Sequence, residues 1–187
     1  MKVLLGVSNR HVHLTKDDYI TLFGNDNIEK VKDLVQPGEF ASSSKVSIKT
    51  PKNEINNVRV LGPFRKYTQV EISKTDSYML GINPPVRNSG DLDNSEEITI
   101  VGPCGEVTKR CCIIATRHLH INNEDRKRLG LTDLKTISLK VESADKSAIL
   151  ENVFIKETEN GALEVHLDTD DANGNLLKTG DMVELIF

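Results

Sequence analysis

Short runs in which apolar and polar residues alternate recur along the chain, separated by clusters of Gly, Pro, Asn and Asp. Val46-Ser47-Ile48-Lys49 leads into Thr50-Pro51-Lys52-Asn53, and Val58-Arg59-Val60-Leu61 stops at Gly62-Pro63. Residues 68–73, 98–101 and 137–141 alternate, and residues 153–155, 163–167 and 182–187 read the same way. Alternation with period two puts successive side chains on opposite faces of a strand. This density of short strands predicts a mainly β fold of barrels or sandwiches. Helix signals are few. Thr15 followed by Lys16-Asp17-Asp18 starts like a capped helix with acids in its first turn, and residues 19–23 carry its apolar face before Gly24. A second helix is expected from Asn122 or Asn123 to Leu129, before Gly130.

The pattern also repeats internally. Arg10-His11-Val12-His13-Leu14-Thr15-Lys16-Asp17-Asp18 and Arg117-His118-Leu119-His120-Ile121-Asn122-Asn123-Glu124-Asp125 match nearly position for position. In each, Arg-His-x-His ends a hydrophobic strand and a capped helix follows. Leu61-Gly62-Pro63 and Val101-Gly102-Pro103 form a weaker echo. Two related β-barrel-like domains with short helices is the simple reading. The boundary falls in the polar, turn-rich stretch 84–97, which gives domains of 1–90 and 91–187 with termini free to cross between barrels.

The 187 residues, 37% hydrophobic and 28% charged, are ordinary for a globular protein with a real core. A net charge of −4 offers no basic footprint for nucleic acid or an anionic membrane. Aromatics at 4% with no Trp argue against a platform for stacking bases. The N-terminus turns polar too soon for a signal peptide, and no apolar run approaches the roughly 20 residues needed to span a bilayer. Three cysteines, two of them adjacent, make no disulfide framework, so a reducing cytoplasm is expected. A homodimer is the default oligomer.

All five histidines fall in informative places: His11, His13, His118, His120 and His166. Residues i and i+2 of a strand share a face, so each His-x-His presents two imidazoles side by side, and imidazole is a common ligand for zinc and related metals. One His-x-His is weak evidence; two in a duplicated segment are strong. Five histidines exceed what one open tetrahedral ion needs and could supply two metals, with a carboxylate completing the set. Glu71, in a strand pattern after a basic stretch, is the best candidate among many acids. Near His166, Asp168, Asp170 and Asp171 either orient that imidazole or form a solvated acidic turn.

Arg59, Arg65, Lys66 and Lys74, with Lys52 nearby, concentrate positive charge in an otherwise acidic chain, which suits phosphate. The residues from Val7 to Leu14, Gln36-Pro37-Gly38, the run from Val60 to Ser73, Pro84-Pro85-Val86-Arg87-Asn88-Ser89-Gly90-Asp91, Ala115-Thr116-Arg117-His118-Leu119-His120 and the run from His166 to Asn173 resemble the PduL-type phosphotransacylases, the phosphate propanoyltransferase family. The resemblance covers nearly the whole chain. It implies two β-barrel-like domains, two divalent metals (usually zinc) between them, and reversible transfer of a propanoyl or acetyl group between coenzyme A and phosphate, in the setting of propanediol utilisation. It implies that His11, His13 and Glu71 hold one metal and His118, His120 and His166 the other. Arg65 would bind phosphate, and Val7, Ser8, Asn9, Lys52, Arg59 and Asn173 would lie along the CoA path. The alternatives are a dinuclear zinc thioesterase or other hydrolase, and a non-catalytic scaffold with structural zinc.

Two features depart from the family pattern. Members serving microcompartments usually carry an N-terminal extension, whereas here the strand leading to His11 begins almost at Met1, so a cytoplasmic location is expected, with the lumen of such a compartment as the alternative. Cys104, Cys111 and Cys112 lie where family chains usually lack cysteine, and are expected to be small buried or turn residues rather than ligands.

Overall fold

The computed structural model describes residues 1–187. In chain order its elements are β1 (Lys2–Ser8), β2 (His11–His13), α1 (Lys16–Phe23), β3 (Lys30–Asp33), β4 (Phe40–Lys49), β5 (Glu54–Gly62) and β6 (Gln69–Glu71). There follow α2 (Lys74–Leu80), β7 (Val86–Arg87), β8 (Glu96–Val101), β9 (Glu106–Ala115), β10 (His118–Ile121) and α3 (Asn123–Arg128). The chain ends with β11 (Thr136–Val141), β12 (Ala148–Glu157), β13 (Glu164–Asp168), α4 (Thr169–Gly174) and β14 (Met182–Ile186). The fold is mainly β, as the alternation predicts: two closed six-stranded barrels with short helices. No helix is long and apolar enough to cross a membrane.

One compact unit comprises residues 1–8, 35–37 and 116–187. Its barrel closes in the order β1-β13-β10-β12-β11-β14. Val3, Leu5, Leu119, Ile121, Leu139, Val153, Val165, Leu167, Val183 and Leu185 fill it. The other unit comprises residues 9–34 and 38–115. Here β4 pairs with β5, β5 with β2, β2 with β6, β6 with β9, β9 with β8, and β8 back with β4, which closes a second ring of six. Strands β3 and β7 attach to its edges. Val12, Leu14, Val46, Ile48, Val58, Val60, Val70, Ile98 and Ile100 fill this barrel.

The pairing makes the duplication explicit. Strand β2 runs parallel to β5 and antiparallel to β6, as β10 runs parallel to β12 and antiparallel to β13. β6 is parallel to β9, as β13 is to β1. The first strand of each repeat therefore closes the barrel of the other repeat: β1 precedes β2 in sequence but joins β13 and β14, and β9 precedes β10 but joins β6 and β8. A single cut near residue 90 would separate the two His-x-His repeats, whereas the compact units interleave because of this exchange. The two Gly-Pro turns are not related by it, since β5 matches β12 and β8 matches β14.

Both expected helices form. The Thr15 hydroxyl accepts from the Asp18 amide at 3.2 Å, and Gly24 ends α1 at φ 75, where a side chain would be strained. Asn122 caps α3 by accepting from the Asp125 amide at 2.8 Å. The strand pattern did not expose α2 and α4. Ser73 and Asp76 form a reciprocal capping box on α2, and Asp168 caps α4 by accepting from the Asp171 amide at 2.8 Å. Gly102 lies where α1 presses on the β8–β9 turn: a Cβ there would stand 2.4 Å from the Leu22 carbonyl oxygen. Cys104 is exposed in that turn, while Cys111 and Cys112 are buried in β9. Burial pushes the Cys111 thiol up to about 12 and the Cys112 thiol well above its ordinary value.

Candidate functional site

In the unit built on β2, His11 stands opposite Glu71, Val12 opposite Val70, and His13 opposite Gln69. Val12 and Val70 point into the barrel core, so the period of two sends His11, His13, Gln69 and Glu71 to the other face of the sheet. His11 Nδ1 lies 2.8 Å from the Asn9 carbonyl oxygen. A carbonyl only accepts, so Nδ1 carries the proton and Nε2 keeps its lone pair, 3.5 Å from Glu71 Oε2. The His11 and His13 rings meet edge to face at 4.9 Å. Ligand atoms of His11, His13 and Glu71 all lie within 4.8 Å of one another.

The same geometry recurs in the unit built on β10. His118 stands opposite His166, Leu119 opposite Val165, and His120 opposite Glu164. His118 Nδ1 lies 2.9 Å from the Thr116 carbonyl oxygen, which again leaves the lone pair on Nε2. That Nε2 is 3.1 Å from His120 Nε2, and the His166 ring centroid lies 5.1 and 4.6 Å from those of His118 and His120. The ligand atoms of these three also lie within 4.8 Å. Two nitrogens bound to one tetrahedral zinc at its usual bond length stand about 3.3 Å apart, close to the His118–His120 separation. Each triad has three imidazole or carboxylate donors, the number that holds a catalytic zinc and leaves one position open. The residues present therefore fit a divalent ion in each unit.

Matching ion pairs brace both triads. Arg10 Nε and Nη2 donate to the Asp76 carboxylate at 2.9 and 2.7 Å; Arg117 Nε and Nη2 donate to Asp171 at 2.7 Å each. Each arginine immediately precedes a His-x-His, and each acid lies five residues past Glu71 or His166. Of the acids near His166, Asp168 thus serves as a helix cap and Asp171 holds Arg117. The carboxylate bonded to the His166 ring is Glu164, with Oε2 2.8 Å from Nε2. Glu164 did not stand out in the sequence, although it sits at i−2 on the face that the His-x-His argument uses.

Arg65 donates from Nη2 to Glu39 Oε1 at 2.9 Å and from Nη1 to Ser89 Oγ at 3.1 Å. Gln69 Nε2 donates to the same Ser89 hydroxyl at 2.8 Å and to Glu71 Oε1 at 2.5 Å. A continuous polar chain thus links Arg65 to the β2 triad through Ser89 and Gln69. The rest of the basic stretch disperses. Arg59, opposite His11 on β5, donates to the Ser42 carbonyl at 2.7 Å; Lys52 donates to the Tyr78 carbonyl at 2.9 Å. Lys74 donates to Asn83 at 2.6 Å and lies over the Tyr78 ring. Lys66 is exposed. Val7 and Ser8 lie on β1, where the Val7 amide donates to Thr179 Oγ1 at 3.0 Å; Asn9 supplies the carbonyl that holds His11, and Asn173 is exposed on α4.

Comparison with known proteins is consistent along the chain. The sequence model of the family described as "Phosphate propanoyltransferase" matches residues 4–178. A curated phosphate propanoyltransferase of Thermotoga maritima is 48% identical over 186 residues, covering 98% of this chain and 89% of the relative. One from Levilactobacillus brevis is 45% identical, covering 92% and 83%, and one from Rhodobacter capsulatus 43% identical, covering 98% and 86%. A match of this extent, over both repeats and both His-x-His strands, makes this chain a member of the phosphate propanoyltransferase family, a family of acyltransferases.

Proposed function

We propose that this chain transfers a short acyl group, propanoyl or acetyl, reversibly between coenzyme A and inorganic phosphate, with one divalent ion, zinc by preference, held by each triad. The observation that carries the reading is the polar chain from Arg65 through Ser89 and Gln69 to Glu71, which ties a guanidinium suited to phosphate to a triad whose donors suit a divalent ion. When bound, the ions supply Lewis acidity that polarises the thioester carbonyl and offsets charge in the transition state.

The remaining chemistry falls to protein side chains. The planar Arg65 fork binds phosphate and aims one oxygen at the carbonyl carbon. The new O–C bond forms, the C–S bond breaks, and CoA leaves as thiolate with acyl phosphate as the other product. The Cys111 and Cys112 thiols, buried and held protonated, are poor nucleophiles, and Ser89 Oγ is engaged by Arg65 and Gln69 rather than by a histidine. This supports direct attack by phosphate over an acyl-enzyme. Val7, Ser8, Asn9, Lys52, Arg59 and Asn173 are the proposed CoA contacts, with Lys52 and Arg59 supplying charge for its phosphates.

The test follows free thiol released from propanoyl-CoA and acetyl-CoA, with and without phosphate, before and after chelation. Release that needs phosphate, stops with chelator and returns with zinc is the expected result; release without phosphate would make the protein a thioesterase instead. Arg65→Ala should raise the phosphate KM at least tenfold and lower kcat/KM for phosphate about a hundredfold, a loss of roughly 2.7 kcal/mol.

A further inference from the structure

The segment 35–37 belongs to the β10 unit, although the residues flanking it belong to the other. Its Gln36 is 5% exposed and locked to the backbone of Ala162 in both directions: Nε2 donates to the carbonyl at 3.1 Å, and Oε1 accepts from the amide at 3.2 Å. That double anchor fixes the orientation of the amide, and Nε2 also donates to Glu164 Oε2 at 3.0 Å. Glu164 is itself 4% exposed, and the same oxygen meets His166 Nε2. A carboxylate so buried persists only when it is bonded, and the bonds it makes are to Gln36 and His166. Gly6 on β1, opposite His166, leaves room for this contact, since a Cβ there would stand 2.9 Å from both Glu164 Oε1 and the His166 ring.

The duplication supplies an independent argument. Gln69 faces His13 in one unit as Glu164 faces His120 in the other. Where the third triad member is a carboxylate, Glu71, the residue two before it is an amide that donates to it. Where that member is an imidazole, His166, the residue two before it is a carboxylate that accepts from it. The chemistry at the i−2 position is thus complementary to the residue it grips in both units.

We propose that Glu164, held by Gln36, is the positioning residue for His166: it fixes the ring with the proton on Nε2 and the lone pair on Nδ1, ready for the metal. The proposal rests on the reading that this triad binds a divalent ion. A carboxylate partner of this kind orients the ring, strengthens the ligand, and typically changes metal affinity 10- to 100-fold when removed.

Zinc affinity, measured by competition with a chromophoric chelator on the full chain, tests it. Wild type should take up two ions. Glu164→Leu should weaken one of them about 10- to 100-fold and leave the other unchanged, and Glu164→Gln, which keeps an acceptor oxygen, should recover most of the loss. Because Glu164 acts through His166, Glu164→Leu should cost no further affinity in a His166→Ala background. Unchanged affinities in Glu164→Leu, or a loss that adds in full to that of His166→Ala, would overturn the proposal while leaving the metal reading intact. Wild type that binds no zinc would overturn both. Thermal melts of the metal-free proteins check folding; should Glu164→Leu fail to fold, Gln36→Leu carries the test, with a smaller loss at the same single site expected and no loss refuting the proposal.

Discussion

Removing the guanidinium that faces Asp76 should destabilise the β2 unit more than the matching change destabilises the other. Asp76 is 1% exposed and accepts from Arg10 Nε and Nη2 at 2.9 and 2.7 Å; its remaining contact is the Ser73 amide at 3.3 Å. Arg10→Met keeps the aliphatic stem but leaves a buried carboxylate with one long, neutral bond. Breaking a buried pair in this way costs about 3–5 kcal/mol. Arg10 is 36% exposed, so water can enter from its side, and the low end, about 3 kcal/mol, is expected. In the other unit Asp171 is 24% exposed, and Arg117→Met should cost about 1–2 kcal/mol. The assay is given by composition: the chain has no Trp, and Tyr19, Tyr67 and Tyr78 all lie in the β2 unit, so tyrosine fluorescence during urea unfolding reports that unit alone. Arg10→Met should shift the tyrosine transition by about 3 kcal/mol, while Arg117→Met, whose cost falls on the unit without tyrosine, should leave it nearly unmoved. A shift under about 1 kcal/mol for Arg10→Met would refute the argument from burial.

Acid stability offers another test. Burial alone would raise the Asp18 carboxyl, but hydrogen bonds from Lys109, Thr68 and the Thr15 cap bring it below its usual value. A carboxyl depressed in the fold contributes stability above its unfolded pKa, about 3.9, that is lost as pH falls through the lower folded value. Lys109→Met should therefore cost about 1 kcal/mol near neutrality, discounted because Lys109 is half exposed, and the gap to wild type should close below about pH 4 in urea titrations; a gap independent of pH would contradict this. A thiol reagent at pH 8 should label one cysteine quickly in the native protein, the exposed Cys104, and all three in denaturant; rapid labelling of two or three in the native state would show that β9 is not the closed strand described.

The parts of this architecture legible in sequence are those governed by local periodicity. The apolar alternation located eight of the strands, and Thr15 and Asn122 announced their helices because a cap and a first turn lie within four residues. Each His-x-His put its imidazoles on one face because the intervening Val12 or Leu119 has to enter a core. The rest depends on partners remote in sequence. That β1 pairs with β13 is invisible locally, since either barrel could bury Val3 and Leu5. β3 is exposed throughout and β7 has two residues, so neither carries a buried face to betray it. Ser73 and Asp168 were hidden as caps because each ends a strand whose pattern dominates the reading. Asp171 looked like a partner for His166 by proximity, but the turn into α4 aims it at Arg117 instead. Glu164 carries no local signal of its role, because it sits within the strand before His166 while the acid-rich turn that draws attention follows it.

The duplicated sites also carry a constraint that neither reveals alone. With neutral imidazoles, the set His11, His13, Gln69 and Glu71 has one carboxylate, and so has the set His118, His120, Glu164 and His166. The carboxylate has exchanged places with its neutral neighbour, and the formal charge of the four side chains is the same in both sets. Charge and hydrogen-bond complementarity, rather than the identity of the third ligand, are then what each site requires. Glu71→His alone would leave an all-neutral site, whose Gln69 amide donor faces a ring that also needs to donate. Gln69→Glu alone would set two carboxylates side by side, and like charges at that distance disfavour joint ionisation. Glu71→His with Gln69→Glu reproduces the other site and should restore zinc affinity to within about tenfold of wild type, whereas each single change should lose more than that. The same chelator competition reads the outcome. A double variant that binds no better than the weaker single one would mean that Glu71 is required as an oxygen donor in its own right, and that the two sites are not interchangeable solutions.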